Sequence, residues 1–432
     1  MLYQWLETQR ALMRSIDAWA AFAGGAWHPA GENVASAGMR GAVVAVPGSD
    51  WLYRLLRSAP EPPPFNIASV SIGGRHVKIA EDVADRTAFC ALRRFARVPA
   101  DGESLDGIGA SVLLCTPLAG HHAVMLRETV EALLEDADVY VTDWANARDV
   151  PLSESRFGLD DYVLALERFM GGLADEGLHV LAVCQATAPT VAAAALVASA
   201  GGTPPRSLTL MGGPIDTRLN PTGVDRFAVA HSLEWFRNTV IDTVPPHYAG
   251  AGRRIYPGYL QHAAIVAAHP HRQLALEARY LASRLTGDAA QTAATLRALD
   301  EYGAVLDMDE DYFLETLSII FQEQRLARGT WEVDGRHVRP QTLAATALCT
   351  VEGDRDDITG AGQTHAAHAL CSAVPDKRRL RFTIADCDHY DLFTGPRWRD
   401  TIHPALQQFW RAIGEGSGGR GPALASIRGS SA

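Results

Sequence analysis

The sequence predicts an α/β fold: a mostly parallel sheet with helices on both faces, interrupted by an inserted helical lid subdomain. Beyond residue 110, short apolar runs alternate with amphipathic stretches, as strands alternate with crossover helices in such sheets. After Met211 the alternation stops, and apolar runs resume only at Ala344, so a helical unit is expected between two core strands. The length of 432 residues suits one large domain carrying an insertion, or two domains.

The elements follow in order. Residues 2–22 place Leu2, Trp5, Leu6, Leu12, Met13, Ile16, Trp19 and Ala20 at helical spacing, predicting an amphipathic helix. PEPPPF (60–65) reads as a stiff connector. ASVSIGGRHVKIAE (68–81) predicts a hairpin turning at Gly73-Gly74. Strands are expected at Val112–Cys115, Val139–Thr142, His179–Val183, Leu208–Met211, Ala344–Val351 and Leu380–Ile384, with helices over 123–135 and 159–174. The insertion contains HRQLALEARYLASRLTG and DYFLETLSIIFQEQRLA, both helical in pattern, and no sheet strand is expected in it. The division is then an N-terminal helical extension (1–64), the first part of the core (65–211), the lid (212–340), the second part of the core (341–414) and a Gly- and Ser-rich tail (415–432) read as disordered.

Bulk properties exclude several classes. A net charge of −11 argues against a general nucleic-acid binder, which needs clustered Lys and Arg. No run of 18 apolar residues is present, so no transmembrane segment is expected. The first residues carry Glu7 and no apolar core, unlike a signal peptide. Six scattered cysteines (90, 115, 184, 349, 371 and 387) form no CxxC pair and suggest reduced thiols in a cytosol.

The chemistry centres on LHVLAVCQATAPT (178–190). An apolar strand runs into Cys184, with Ala182 and Ala186 two residues to either side. A nucleophile at a sharp strand-to-helix turn needs small residues at those positions, as in G-x-S-x-G. Taken alone, Cys184 is as well explained as a buried strand-end thiol. The rest of the sheet favours the nucleophile. The α/β-hydrolase order is nucleophile, acid, histidine. The strand ending at Val351 leads into EGDRDDITG with Asp354, Asp356 and Asp357, and the last strand leads into ADCDHYDLFTG with His389. An oxyanion hole needs two backbone N–H groups. Gln185 follows the nucleophile position, and Leu118, in the loop TPLAGHHA after an early strand, is the second candidate. His121 and His122 invite a metal reading, but adjacent residues point apart and no third ligand is evident, so a loop or cap role is expected. No metal or cofactor is expected. Cys115 and Cys349 read as inert, and Cys387 as a candidate for a secondary redox effect. Asp388 and Asp391 stand where they could raise the pKa of His389.

Together MLYQ, TPLAGHH, VYVTDWANARDVP, LAVCQATAPT, TVEGDRDDITGAGQT and DHYDLFTGPRWR resemble the bacterial intracellular polyhydroxyalkanoate (polyhydroxybutyrate) depolymerases over roughly residues 1–412. The resemblance implies an α/β-hydrolase fold, a Cys184-Asp356-His389 triad and hydrolysis of amorphous storage polyester to 3-hydroxybutyrate oligomers and monomer. It further implies a cytoplasmic protein partnered with the polyester granule surface; a homo-oligomer is compatible with the sequence. Related polyester synthases share a cysteine triad but usually keep Gly beside the nucleophile. An acyl-transferring enzyme and a silent granule-binding protein are the alternatives. In the lid, WFRNTVIDTVPPHYAGAGRRIYPGYL (235–260) mixes aromatics with Pro and Gly, and Trp235 and Tyr259 are the candidates for contact with an apolar polymer.

Overall fold

The computed structural model describes residues 62–415 apart from 101–106, 109, 175, 176 and 269. The helix expected over 2–22 and the tail from 416 lie outside the described residues.

The predicted hairpin forms β1 (Ser69–Ile72) and β2 (Arg75–Arg86), paired so that Ile72 faces Arg75 across the turn. Gly73 and Gly74 sit at φ +56° and +81°, in left-handed backbone that favours glycine. β3 (Cys90–Val98) pairs antiparallel with β2 and was not expected. Its sequence, CALRRFARV, hides the alternation behind arginines that pair across strands: Arg93 Nε donates to Asp143 at 2.6 Å and Arg94 to Asp138 at 3.2 Å. Next come β4 (Val112–Cys115), β5 (Val139–Trp144), β6 (His179–Val183) and β7 (Ser207–Met211), near the bounds that the apolar runs predict.

The insertion is not free of strands, as the sequence reading had it. β8 (Asp242–Thr243), β9 (Arg254–Tyr256) and β10 (Met308–Asp309) form a small antiparallel sheet, and β11 (Glu332–Val333) pairs with β12 (Arg336–His337). Strands of two or three residues are too short to show a period. None joins the main sheet. The core resumes with β13 (Ala347–Gly353), three residues later than Ala344, and β14 (Arg379–Ile384).

The main sheet has nine strands in the order β1-β2-β3-β5-β4-β6-β7-β13-β14. The strands from β5 to β14 are parallel, and β1 to β3 form an antiparallel flank. Alternation along each strand divides the interior into two apolar layers. Leu113, Cys115, Val180, Ala182, Leu208 and Leu210 face one layer, and Val112, Leu114, Leu181, Val183, Met211 and Val351 face the other. The second layer is covered by α1 (Arg127–Leu133), and the first by α2 (Leu159–Gly172) and α3 (Thr187–Ser199). α3 is buried continuously from Thr187 to Val197, which its run of alanines permits. The insertion carries α4 (Gly223–Ala230), α5 (Leu233–Thr239), α6 (Gly258–Ala268), α7 (Pro270–Thr286), α8 (Ala289–Gly303) and α9 (Glu310–Thr316). α10 (His403–Glu415) returns to the second layer through Leu406, Phe409 and Trp410. With β6, β13 and β14 each ending at a candidate residue loop, this is the α/β-hydrolase fold.

Candidate active site

Cys184 is the first residue beyond β6. Its φ is +53°, a left-handed backbone that a non-glycine side chain occupies only under strain. The chain turns at once into α3, and Thr187 Oγ donates to the Cys184 carbonyl at 2.9 Å, closing the turn. Ala182 and Ala186 are wholly buried on either side. The turn also needs room from its neighbour. A Cβ on Gly213 would lie 1.8 Å from Thr187 Oγ, so only glycine fits there. Gly212, at φ +54°, brings the end of β7 beneath the site, where an added Cβ would stand 3.3 Å from both Asp356 Oδ2 and His389 Cε1. The pair MGGP after an apolar run was the signal available in the sequence, and spacing alone did not single it out.

The loops after β13 and β14 bring the other two residues together. His389 Nδ1 donates to Asp356 Oδ2 at 2.8 Å. The second carboxylate oxygen of Asp356 accepts the backbone N–H groups of Ile358 at 3.0 Å and Thr359 at 2.8 Å. With Nδ1 committed to Asp356, the other ring nitrogen is left for Cys184, whose sulfur stands near enough to act on the ring. Burial of His389 opposes the imidazolium, but the Asp356 carboxylate and the Cys184 sulfur outweigh it and hold the ring well above the ordinary histidine range. Asp388 and Asp391, expected to contribute to this, are not among its main causes. Asp388 instead caps the turn, its Oδ1 accepting the N–H groups of Tyr390 and Asp391 at 3.0 Å each. Asp354 and Asp357 are exposed, and Asp354 accepts the Cys387 N–H at 3.2 Å.

The loop carrying Leu118 is pinned at its start. Thr116 N donates to Thr142 Oγ at 2.9 Å, and the Thr116 carbonyl accepts Trp144 Nε1 at 3.1 Å and the Tyr162 hydroxyl at 2.7 Å. Leu118 itself is buried in the first apolar layer. Gln185 is held by the lid: the Tyr312 hydroxyl of α9 donates to its Oε1 at 3.0 Å. Tyr312 is fully buried, with Tyr162 and Phe157 stacked against it at 5.5 and 5.6 Å. Sequence spacing does not reveal this positioning link, which joins residues 127 apart.

The two lid candidates are separated. Tyr259 is buried in the layer that also holds Leu118 and Tyr312. Trp235 is on the surface, its ring 4.0 Å from that of His231 and 5.2 Å from that of Phe236. The segment 235–260 is partly irregular: α5, β8, β9 and the start of α6 are joined by turns and loop over 244–253. Cys387, flagged for redox chemistry, is instead fully buried, and burial pushes its thiol up to about 12. Burial likewise holds Cys115 at about 12. His122 precedes the turn at Ala123 without a side-chain cap, while His121 is buried against lid aromatics. Among the described residues, no group of three or more His, Cys, Asp or Glu could hold a metal ion. No described helix is long and apolar enough to cross a membrane.

Chemically, a strained strand-end thiol beside a buried His–Asp pair is equipped for acyl transfer. No curated protein matches the chain. Among solved structures, a soluble variant of monoglyceride lipase from Saccharomyces cerevisiae, in complex with a substrate analog, is 10% identical. It covers 82% of this chain and 99% of its own, with a TM-score of 0.45. Monoacylglycerol lipase from Paleococcus ferrophilus is 10% identical, covering 72% and 96%, with a TM-score of 0.42. The 2-hydroxy-6-oxo-6-phenylhexa-2,4-dienoate hydrolase of Rhodococcus sp. strain RHA1 is 16% identical, covering 78% and 100%, with a TM-score of 0.41. Residues 212–414, from Gly212 through the lid to the last helix, match the family described as PHB de-polymerase C-terminus. With this match added to the strand order, the chain is a carboxylic ester hydrolase of the α/β-hydrolase fold whose residues 212–414 are similar to the C-terminal region of the PHB depolymerases.

Proposed function

We propose that this protein is an intracellular polyhydroxyalkanoate depolymerase that cuts storage polyester through an acyl-cysteine. Cys184 attacks the ester carbonyl, and His389 takes its proton. Asp356 keeps the imidazole in the tautomer that presents its free nitrogen to sulfur. The N–H groups of Leu118 and Gln185 receive the developing oxyanion. His389 then protonates the departing alkoxide, and water, activated by the same imidazole, frees the acyl group. A thiol suits this site because a raised imidazole beside it favours the thiolate–imidazolium pair. The reading places the protein in the cytoplasm at the surface of polyester granules, with 3-hydroxybutyrate oligomers and monomer as products.

The observation that carries this reading is the convergence of Cys184, His389 and Asp356 from three separate strand ends, with a 2.8 Å bond between the last two. The test uses amorphous polyhydroxybutyrate granules and quantifies soluble 3-hydroxybutyrate. Cys184→Ala is expected to lose about three orders of magnitude in rate or more, with its melting temperature near that of the native protein. Near-normal turnover in that variant would remove Cys184 from the mechanism. Coenzyme A release with chain growth from hydroxybutyryl-CoA would assign acyl transfer instead.

A further inference from the structure

Beside the catalytic loop lies a polar cluster that the proposed hydrolysis leaves unused. Tyr390 follows His389, with its ring 5.6 Å from the imidazole, and is electrostatically coupled to Cys184. On its other side stand Tyr302 of α8 at 5.9 Å and His121 at 6.3 Å, measured between ring centres. His262 of α6 closes the ring, 5.6 Å from Tyr302 and 6.2 Å from His121. The guanidinium of Arg272 from α7 lies over Tyr390 at 4.3 Å and near Tyr302 at 5.8 Å.

Four polar atoms of this cluster are shut off from solvent without a hydrogen-bond partner among the described residues: His121 Nε2, His262 Nε2, Arg272 Nε and the Tyr302 hydroxyl. His121 and Tyr302 are only 4% and 3% exposed. Buried polar atoms left unpaired cost free energy, so four of them gathered in one cluster favour a polar group that can hydrogen-bond with them. Two of the four, Arg272 Nε–H and the tyrosine hydroxyl, are donors. Arg272 is not fully neutralised by its own neighbourhood. Its nearest acid, Asp391, lies 4.0 Å away and is also influenced by Arg279 and Arg397. Asp388 has one oxygen committed to two backbone N–H groups.

From this cluster we infer a subsite for the terminal carboxylate of a 3-hydroxyacid chain, its donors Arg272 and Tyr302, walled by His121 and His262 behind the catalytic histidine. The inference rests on the ester-hydrolysis reading. Interior units of the polyester carry no charge, so the half-buried Arg272 gains less from their ester carbonyls than from a carboxylate. The chain end does carry a charge, and it lies on the leaving-group side of the last ester bond. When Cys184 sulfur bonds to the carbonyl carbon of that ester, the carbon–oxygen bond to the last unit breaks. His389 delivers its proton to the departing oxygen, and the product is a free 3-hydroxyacid. Its carboxylate stands three bonds beyond that oxygen, within the span that the inferred subsite at Arg272 and Tyr302 would serve. The enzyme would then shorten chains from the carboxyl end and release monomer.

The test compares the linear 3-hydroxybutyrate trimer bearing a free carboxyl group with the same trimer blocked as its terminal primary amide. The measurements are kcat/KM for each and the identity of the first product. The native protein is expected to prefer the acid by about tenfold or more, as loss of a charge-assisted bond implies, and to release monomer first. Arg272→Met, and the milder Tyr302→Phe, should each bring the acid-to-amide ratio toward one. Equal kcat/KM for acid and amide in the native protein would overturn the subsite and leave the cluster as a water site. An unchanged ratio in both variants would overturn it as well. Failure to cleave either trimer would overturn the ester-hydrolysis reading itself, and the subsite with it.

Discussion

A carboxylate can orient an imidazole only if it is itself held still. Asp356 meets that condition: one oxygen takes two backbone N–H groups while the other takes His389. Asp354 and Asp357, exposed on the same loop, do not share that hold. Asp356→Asn is therefore expected to lower turnover by about two to four orders of magnitude, against a few-fold change at most for Asp354→Asn or Asp357→Asn. Steady-state rates on one soluble ester for the three variants settle it, and equal losses at 354 and 356 would sink the assignment. The same pair leaves a mark on stability. His389 titrates well above its unfolded value of about 6.5, so the stabilisation it draws from Asp356 is complete below that pH and is lost as pH rises through the folded value. Denaturant unfolding should show the native protein's lead over Asp356→Asn narrowing as pH climbs from about 6 into the alkaline range. Which residue types gather here was legible in the sequence, since each follows the end of an apolar run. Which of three neighbouring aspartates meets the histidine was not, because that choice depends on the turn at Ile358 and Thr359. The resemblance, and not spacing, pointed to Asp356.

The elements were legible in proportion to their length and burial. β4, β6 and β7 have every residue buried, so their apolar runs state their bounds. β3 escaped notice because one face of it meets charges on its neighbours, and β8 to β12 because two or three residues carry no periodicity. The lid helices were legible by pattern, but which of their side chains face outward is decided by how they pack. α4 and α5 leave Val224, Phe227 and Val229 exposed beside Trp235, an apolar surface of the kind that meets a partner or an insoluble substrate. Trp235→Ala should lower turnover of granules relative to p-nitrophenyl butyrate without moving the melting temperature, because its ring is partly in solvent. Tyr259→Ala removes a buried ring and should cost about 3–5 kcal/mol of stability. Paired rate ratios and thermal melts on the two variants separate the roles. An unchanged ratio in Trp235→Ala would move polymer contact elsewhere on the lid.

At the scale of the whole molecule, the sheet buries ionisable groups in its two layers as well as apolar ones. Burial holds His121 and His368 at about 3 and His179 at about 4, so all three are neutral in the folded state near neutral pH. Their folded values lie below the unfolded value of about 6.5, so the stability they allow is complete above that pH and falls as pH drops toward the folded values. At pH 4.5 the penalty is about 2–3 kcal/mol for each. Acid titration should show a steep loss of stability below pH 6 with uptake of protons on unfolding, and replacing His368 and His179 by Gln should soften it. Unfolding free energies that stay flat from about pH 7 to 4.5 would contradict this account.

The pairing of β7 with β13 has a consequence for how the protein is made. Val351 lies beside Met211 in the sheet, yet residues 212–346 separate the two strands in the chain. At about 5–20 residues per second, a ribosome takes roughly 7–27 s to cross that interval. During it, β7 stands with one edge unpaired, an invitation to wrong partners. The thiol of Cys184, already in place at the end of β6, meanwhile lacks both residues that complete its site. His389 is supplied only after β14, so on the mechanism proposed above activity arrives with the last strand, and a chain that stalls within the insertion would be chemically silent.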